Sequence, residues 1–217
     1  MTAIIFDMDG VLIDSQPLHY EIDIRVLKAC GFDATLSHVT PYSGVGNPDR
    51  WPKYKETLLL KPTVQELIKM SEANMRDIFN ETKLTAIEGI TELLSNIKKL
   101  GLPTGVASAS SHELIDMVLK RTGISDYFDI IVSGEDVKVG KPHPDIYLKA
   151  ASMVNLPPQQ CIAIEDAPSG ILAAKNAGFT CIAYKNPNTH GQVFDNASYV
   201  VDKFSDAFNI IKTEHFK

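Results

Sequence analysis

The chain has 217 residues, of which 44% are hydrophobic, and it carries a formal charge of −6 at pH 7 with a pI near 5.5. This is enough for one domain with a sizeable core, or for one domain that carries a smaller insertion. The acidic balance and the lack of any block of Lys or Arg argue against nucleic acid or an anionic membrane surface as a partner.

The N-terminus begins without a secretory signal and leads directly into a short apolar run, "AIIF". No later segment approaches the roughly 20 apolar residues that span a bilayer. We therefore expect a cytoplasmic protein.

Six short apolar runs rich in β-branched residues alternate with segments of helical pattern. This alternation predicts an α/β fold, a doubly wound, Rossmann-like parallel sheet with helices on both faces. The predicted strands are 3–6, 103–108, 128–133, 161–165, 181–184 and 199–201. The predicted helices of this core are 87–100, 112–122, 144–154, 168–177 and 205–213.

Residues 15–82 interrupt this alternation. They contain a turn-rich stretch over 40–52 and two helix-like segments over 53–60 and 63–81, without a convincing strand. We expect a small α-helical domain over 15–82, inserted after the first strand of a core formed by 1–14 and 83–217.

The predicted strands end in side chains that can support chemistry. In open α/β sheets, ligands bind at the carboxyl ends of the strands. Four carboxylates, two hydroxyl groups and one ammonium group would meet there. They belong to Asp7, Asp9, Glu165 and Asp166, to Ser108 and Ser110, and to Lys141.

Four carboxylates at one sheet edge repel one another unless a cation lies among them. Oxygen ligands supplied by two strand ends suit Mg²⁺, which commonly shares its coordination shell with a phosphate oxygen. Asp7 and Asp9 are two residues apart, so in an extended segment they face the same side while Met8 faces the core. One carboxylate could attack phosphorus while the other transfers protons.

The motifs "DMDG", "SAS", "GKPHPD" and "EDAPSG", in that order, resemble the four motifs of the haloacid dehalogenase superfamily. The resemblance covers essentially the whole chain and is strongest to the phosphatase and β-phosphoglucomutase branch, in which a helical cap follows the first motif. It implies that Asp7 is the nucleophile and Asp9 the general acid and base. It also implies a Mg²⁺ site formed by Asp7, the main-chain carbonyl of Asp9 and Asp166, with Glu165 as a further candidate ligand.

The same resemblance implies a phosphoryl-binding site. Ser108 and the backbone after it, at Ala109, would bind the phosphoryl group, and Lys141 would neutralise its oxygens. These roles match the positioning and charge neutralisation that phosphoryl transfer requires.

Several residues of the implied cap are candidates for contact with substrate. Related mutases carry a cap histidine after a hinge that resembles Asp14-Ser15, and His19 falls at that place in this chain. A structural role for His19 is equally open. The stretch 43–51 corresponds to a specificity loop, where β-phosphoglucomutases place a basic residue soon after "GV" to grip a second phosphate. The cap candidates are Ser15, His19, Gly46, Asn47 and Arg50.

These patterns predict a Mg²⁺-dependent phosphomonoester hydrolase that acts on a small phosphorylated metabolite, a sugar or polyol phosphate, through an aspartyl-phosphate. Asp9 favours phosphorus chemistry over dehalogenation, because a halide leaving group needs no proton donor. We expect a monomer or a weak homodimer.

Three alternatives remain open at this point. A phosphomutase of the β-phosphoglucomutase type would need a cap-side cation, for which Arg50, Lys53 and Lys55 are the candidates. A phospho-accepting signalling module would use similar residues, but such modules are roughly half this length. A relative without catalytic activity that binds a partner is the third.

Overall fold

The computed structural model describes residues 2–42, 45–188 and 192–216. Within this part of the chain, six parallel strands form one sheet in the order β3-β2-β1-β4-β5-β6. The strands are β1 (Ala3–Phe6), β2 (Thr104–Ser108), β3 (Ile130–Ser133), β4 (Cys161–Glu165), β5 (Thr180–Tyr184) and β6 (Tyr199–Val201). The predicted parallel α/β fold is confirmed.

Nine α-helices lie in the described ranges, and none is long and apolar enough to cross a membrane. The first four are α1 (Gln16–Ala29), α2 (Leu36–Val39), α3 (Asn47–Thr57) and α4 (Val64–Glu81). The other five are α5 (Ile90–Lys99), α6 (His112–Thr122), α7 (Asp145–Met153), α8 (Pro168–Ala177) and α9 (Phe204–His215).

The chain divides into two compact units. The first consists of Met1–Asp14, Leu84–Pro187 and Gln192–Lys217, and the second of Ser15–Lys83 and Asn188–Gly191. The first unit holds the sheet and α5 to α9, and the second holds α1 to α4.

The first unit is built on central strands that are buried on both faces. All residues of β1, β2 and β4 are buried, as expected for the centre of a parallel sheet covered by helices on both sides. Its core includes Ile5, Val132, Ile146 and Ile171. The buried sheet therefore fixes the positions at which the loops leave its strands.

The second unit has a core of its own, in which Trp51 and Tyr54 of α3 pack with Leu67 of α4. The sequence predicted a turn-rich stretch up to residue 52, and this was wrong from Asn47 onward, where α3 begins. Trp51 and Tyr54 are almost completely buried, so packing favours a helix although Pro52 lies inside it.

Candidate active site

The sheet order brings the chemically active strand ends together. β1 lies between β2 and β4, and Phe6 pairs with Val106 on one side and Ile164 on the other. Asp7 follows β1, and its N–H donates to the Ile164 carbonyl at 2.9 Å. The residues that follow the three central strands therefore share one sheet edge.

Lys141 lies among the carboxylates of this edge, although it is distant in sequence from all of them. Its Nζ is 2.6 Å from Asp7 Oδ1 and 2.6 Å from Glu165 Oε1, and it donates to the Ala107 carbonyl at 3.0 Å. Burial opposes the charge on Lys141, but the carboxylates of Asp7 and Glu165 outweigh burial and raise its pKa well above the usual value. Lys141 is therefore a fixed positive charge.

The acidic side chains form a group with suitable geometry for a metal ion. Asp7, Glu165 and Asp166 are buried and offer ligand atoms that all lie within 4.8 Å of one another. Burial raises the pKa of Asp7, the nearby Glu165 carboxylate adds to the increase, and Lys141 opposes it. A divalent cation would relieve this repulsion, and a donor set made only of oxygen atoms fits Mg²⁺.

Glycine residues leave the space in which two of these carboxylates lie. Gly10 has φ +82°, and a Cβ atom at this position would lie 2.2 Å from Asp166 Oδ2. A Cβ atom on Gly170, in the first turn of α8, would lie 1.8 Å from Glu165 Oε1. Both motif glycines are thus required by the carboxylates beside them.

Both oxygens of Glu165 accept hydrogen bonds from the protein. Oε1 accepts from Lys141 and from the Tyr147 hydroxyl at 2.8 Å, and Oε2 accepts from the backbone N–H groups of Asp166 at 3.1 Å and Ala167 at 3.4 Å. This arrangement locks Glu165 and fixes Lys141 beside Asp7. Sequence reasoning missed Tyr147, which looks like an apolar core residue of α7; the only signal was its hydroxyl group, which needs a partner when buried.

The loop after β2 carries the predicted phosphoryl-binding residues. Ser108 is fully buried, and Ala109 is exposed. Ser110 donates through its N–H to Ser108 Oγ at 3.1 Å and through its hydroxyl to Asp9 Oδ2 at 3.3 Å. The loop is therefore linked to the second aspartate of the first motif, while Met8 is buried.

Two amide side chains that sequence reasoning missed support the acidic loops. Asn186 is buried and donates to the Gly10 carbonyl at 3.0 Å, and Gln192 donates to the Asp166 carbonyl at 2.9 Å. Both follow β5 and lie outside every recognised motif, so no sequence signal pointed to them.

In the second unit, Arg50 forms contacts that the sequence did not indicate. Its Nε lies 3.2 Å from Asp23 Oδ2, and it donates to the Val45 carbonyl at 2.9 Å and to Asn47 Oδ1 at 2.6 Å. The Tyr54 hydroxyl also donates to Asp23 Oδ2, at 3.0 Å. Asn47 and Arg50 thus lie together, and the charge of Arg50 is balanced by a buried carboxylate.

The remaining predicted cap residues take simpler positions. Ser15 is buried just before α1, and its carbonyl accepts from the His19 N–H at 3.0 Å. The His19 ring lies 6.3 Å from the ring of Phe79, and Gly46 is the residue before α3. Ser43 and Gly44 of the predicted 43–51 loop lie outside the described residues.

Comparison with known proteins places these observations in a family context. The family model described as "Haloacid dehalogenase-like hydrolase" matches residues 4–184. A phosphorylated carbohydrates phosphatase of Thermotoga maritima is 34% identical over 178 residues, covering 82% of each chain. Hexitol phosphatase B of Escherichia coli is 33% identical over 189 residues, covering 85% of this chain and 84% of its own.

A solved structure shows similarity over almost the full length. The crystal structure of a putative β-phosphoglucomutase from Thermotoga maritima superposes with a TM-score of 0.77 at 30% identity, covering 98% of this chain and 99% of its own. The similarity therefore includes both the part of the sequence that forms the sheet and the helical segment after β1.

Proposed function

The chain belongs to the haloacid dehalogenase-like hydrolase family, and from this premise we propose that it is a Mg²⁺-dependent phosphomonoester hydrolase for a small sugar or polyol phosphate. One observation carries the proposal. Lys141 Nζ contacts Asp7 Oδ1 at 2.6 Å, beside the carboxylates of Glu165 and Asp166. A fixed cation next to an acidic nucleophile and a metal site is what transfer of a phosphoryl group requires.

The two aspartates of the first motif have different roles: Asp7 is the nucleophile, and Asp9 is the general acid and base. A carboxylate oxygen of Asp7 attacks phosphorus, the ester P–O bond breaks, and Asp9 gives its proton to the leaving alkoxide. Asp9 then removes a proton from a water molecule, which attacks phosphorus in the aspartyl-phosphate and releases inorganic phosphate. Asp7 is regenerated, and the atoms balance to one ester and one water giving one alcohol and one phosphate.

The residues around Asp7 bind the phosphoryl oxygens. Lys141 neutralises one of them, and Ser108 can donate its hydroxyl hydrogen because its oxygen accepts from the Ser110 N–H. Ala109 is an exposed residue of the same loop, and its backbone N–H would complete the set. Donors held in fixed positions around developing charge are the main source of rate acceleration in such sites.

The carboxylates of Asp7 and Asp166, with the main-chain carbonyl of Asp9, would hold Mg²⁺. When bound, Mg²⁺ supplies charge neutralisation for the carboxylates and for the phosphoryl oxygens. Glu165 was a further candidate ligand, but its contacts with Lys141, Tyr147 and two backbone N–H groups support a positioning role.

The contacts of the cap-side cations favour hydrolysis over a mutase reaction, in which the phosphoryl group moves to a second hydroxyl group of the substrate. A mutase that forms a bisphosphate needs a positive charge for the second phosphate, and Arg50, Lys53 and Lys55 were the candidates. Arg50 is paired with buried Asp23, and Lys55 Nζ donates to the carbonyls of Leu60 at 2.8 Å and Pro62 at 2.7 Å. Two of the three cations are thus already engaged within their own unit.

The substrate class rests on the relatives. Two of them are named as phosphatases of phosphorylated carbohydrates and of hexitols. Carbohydrates and hexitols are both polyhydroxylated compounds, which supports a sugar or polyol phosphate for this chain.

The test is phosphate release from a panel of hexose, pentose and hexitol monophosphates in Mg²⁺. We expect the wild-type chain to release inorganic phosphate from at least one of them, EDTA to abolish the release, and Asp7→Asn to remove turnover. Asp33→Asn makes the same chemical change at an exposed site and should keep wild-type activity. Turnover by Asp7→Asn would refute the nucleophile, and total phosphoester that stays constant while isomers form would indicate a mutase.

A further inference from the structure

The end of β3 contacts the loop that follows β2. The two strands are parallel neighbours, and Ser108 pairs in register with Ser133. Ser133 is fully buried; its hydroxyl donates to the Ser110 carbonyl at 2.7 Å and accepts from the Glu135 N–H at 3.0 Å. A buried hydroxyl is thus used to hold the backbone of the neighbouring loop.

Gly134 lets the same two segments approach closely. A Cβ atom at this position would lie 2.6 Å from the Ala109 carbonyl oxygen and 3.1 Å from its carbon. These are backbone atoms, which cannot move away by a change of rotamer as side-chain atoms can. Only glycine therefore permits the observed position of Ala109 beside β3.

Ser110 links this support to the first motif. Its carbonyl accepts from Ser133, its N–H donates to Ser108 Oγ, and its hydroxyl donates to Asp9 Oδ2. A shift of the Ser110 backbone would therefore move both the buried Ser108 hydroxyl and the partner of Asp9.

We propose that Ser133 and Gly134 are positioning residues, which hold the 108–110 loop where it binds the phosphoryl group and where Ser110 orients Asp9. This inference rests on the proposed function, because it assumes that the loop binds phosphate. Neither residue contacts the reacting atoms; both act through the backbone of Ala109 and Ser110. No motif that the sequence offered includes either of them.

The experiment compares Ser133→Ala and Gly134→Ala with the wild-type chain in Mg²⁺. We expect kcat/KM for p-nitrophenyl phosphate to fall about tenfold to a hundredfold, since a misplacement of about 1 Å can have that effect. The affinity for inorganic phosphate should fall about tenfold, the equivalent of one hydrogen bond to a charged group.

Inorganic phosphate is titrated by calorimetry into the Mg²⁺-loaded protein, and this measurement needs no turnover. A wild-type chain that hydrolyses no phosphomonoester would contradict the proposed function. The positioning role is overturned if Ser133→Ala and the wild-type chain bind phosphate equally well, or if neither binds it. If Ser133→Ala lacks a cooperative thermal transition and is therefore not folded, the phosphate affinity of Gly134→Ala is compared with that of the wild-type chain instead.

Ser111→Ala is the matched control. The Ser111 hydroxyl caps α6 by accepting from the Leu114 N–H at 3.4 Å, so the substitution removes a neighbouring hydroxyl whose hydrogen bond is to α6 and not to the 108–110 loop. We expect a lower melting temperature with phosphate affinity unchanged. Equal losses of phosphate affinity in Ser111→Ala and Ser133→Ala would show a general loss of stability and overturn the inference.

Discussion

Asp166 and Glu165 depend on the absence of a side chain at a neighbouring position. Gly10 faces the carboxylate of Asp166, and Gly170 faces that of Glu165, each at a distance that no Cβ atom could occupy. The glycines of the first and last motifs are therefore part of the charge arrangement. For Gly10 this contribution can be separated from that of its positive φ, because other glycines of this chain have a positive φ without a side chain close to the Cβ position.

Gly10→Ala is expected to weaken Mg²⁺ binding about tenfold to a hundredfold, because the added methyl group would displace Asp166. Gly101→Ala is the matched control: Gly101 also has a positive φ, +68°, but a Cβ atom there would meet nothing within 4 Å. Both variants should lose some stability, and only Gly10→Ala should lose metal affinity. Mg²⁺ titration calorimetry makes the comparison, and equal affinities in the two variants would contradict it.

The motif residues could be recognised from the sequence because their chemistry is unusual for their positions. Buried carboxylates at or just after the ends of strands, such as Glu165 and Asp7, are costly unless something balances their charge. Tyr147, Asn186 and Gln192 could not be recognised in this way. Each has a polar group whose hydrogen-bond partners lie far away in the sequence, and only the folded chain shows which atoms these are.

At the scale of the elements, α1 and α3 are joined by a buried ion pair. Asp23 on α1 and Arg50 on α3 are both largely shielded from solvent, and Tyr54 adds a hydrogen bond from the next turn of α3. Burial raises the pKa of Asp23, and Arg50 opposes this increase. These contacts help to explain why a segment rich in turn-forming residues becomes a helix: in α3, Arg50 and Tyr54 both reach Asp23, and Trp51 packs in the core of the unit.

Asp23→Ala is expected to destabilise the second unit by about 3 kcal/mol, because it leaves the Arg50 charge buried without its carboxylate. The double variant Asp23→Leu/Arg50→Met should recover most of this loss, since it removes both charges. Urea unfolding followed by the fluorescence of Trp51, the single tryptophan of the chain and a core residue of this unit, gives the measurement. Asp33→Ala, at an exposed site, should change little; a similar loss there would contradict the ion-pair explanation.

At the scale of the whole molecule, the sheet could be predicted because short, mainly apolar runs alternate with segments of helical pattern. The predicted spans 3–6, 161–165 and 199–201 coincide with β1, β4 and β6. For residues distant in the sequence, we could predict only that they lie near one another at one sheet edge. The Lys141–Asp7 contact joins residues 134 positions apart, and its partners and distance follow from packing that no local pattern contains.

The acidic group of the first unit links metal binding to the stability of the fold. Asp7 follows β1, while Glu165 and Asp166 come from the end of β4 and the residue after it, so these carboxylates meet only when the sheet is formed. An ion that binds only the folded chain stabilises it by RT ln(1 + [L]/Kd), about 1.4 kcal/mol at a concentration ten times Kd. Stability should therefore increase with the concentration of Mg²⁺.

We expect the calorimetric melting temperature of the wild-type chain to rise with Mg²⁺ and to return to its starting value in EDTA. Asp166→Asn removes one proposed ligand and should melt at a temperature that hardly depends on Mg²⁺, whereas exposed Asp33→Asn should respond like the wild-type chain. Because the repulsion between Asp7 and its neighbouring carboxylates is a cost of folding without the ion, the wild-type response should exceed that in an equal ionic strength of NaCl. An equal response to the two salts would show that screening, rather than binding at this group, explains the stabilisation.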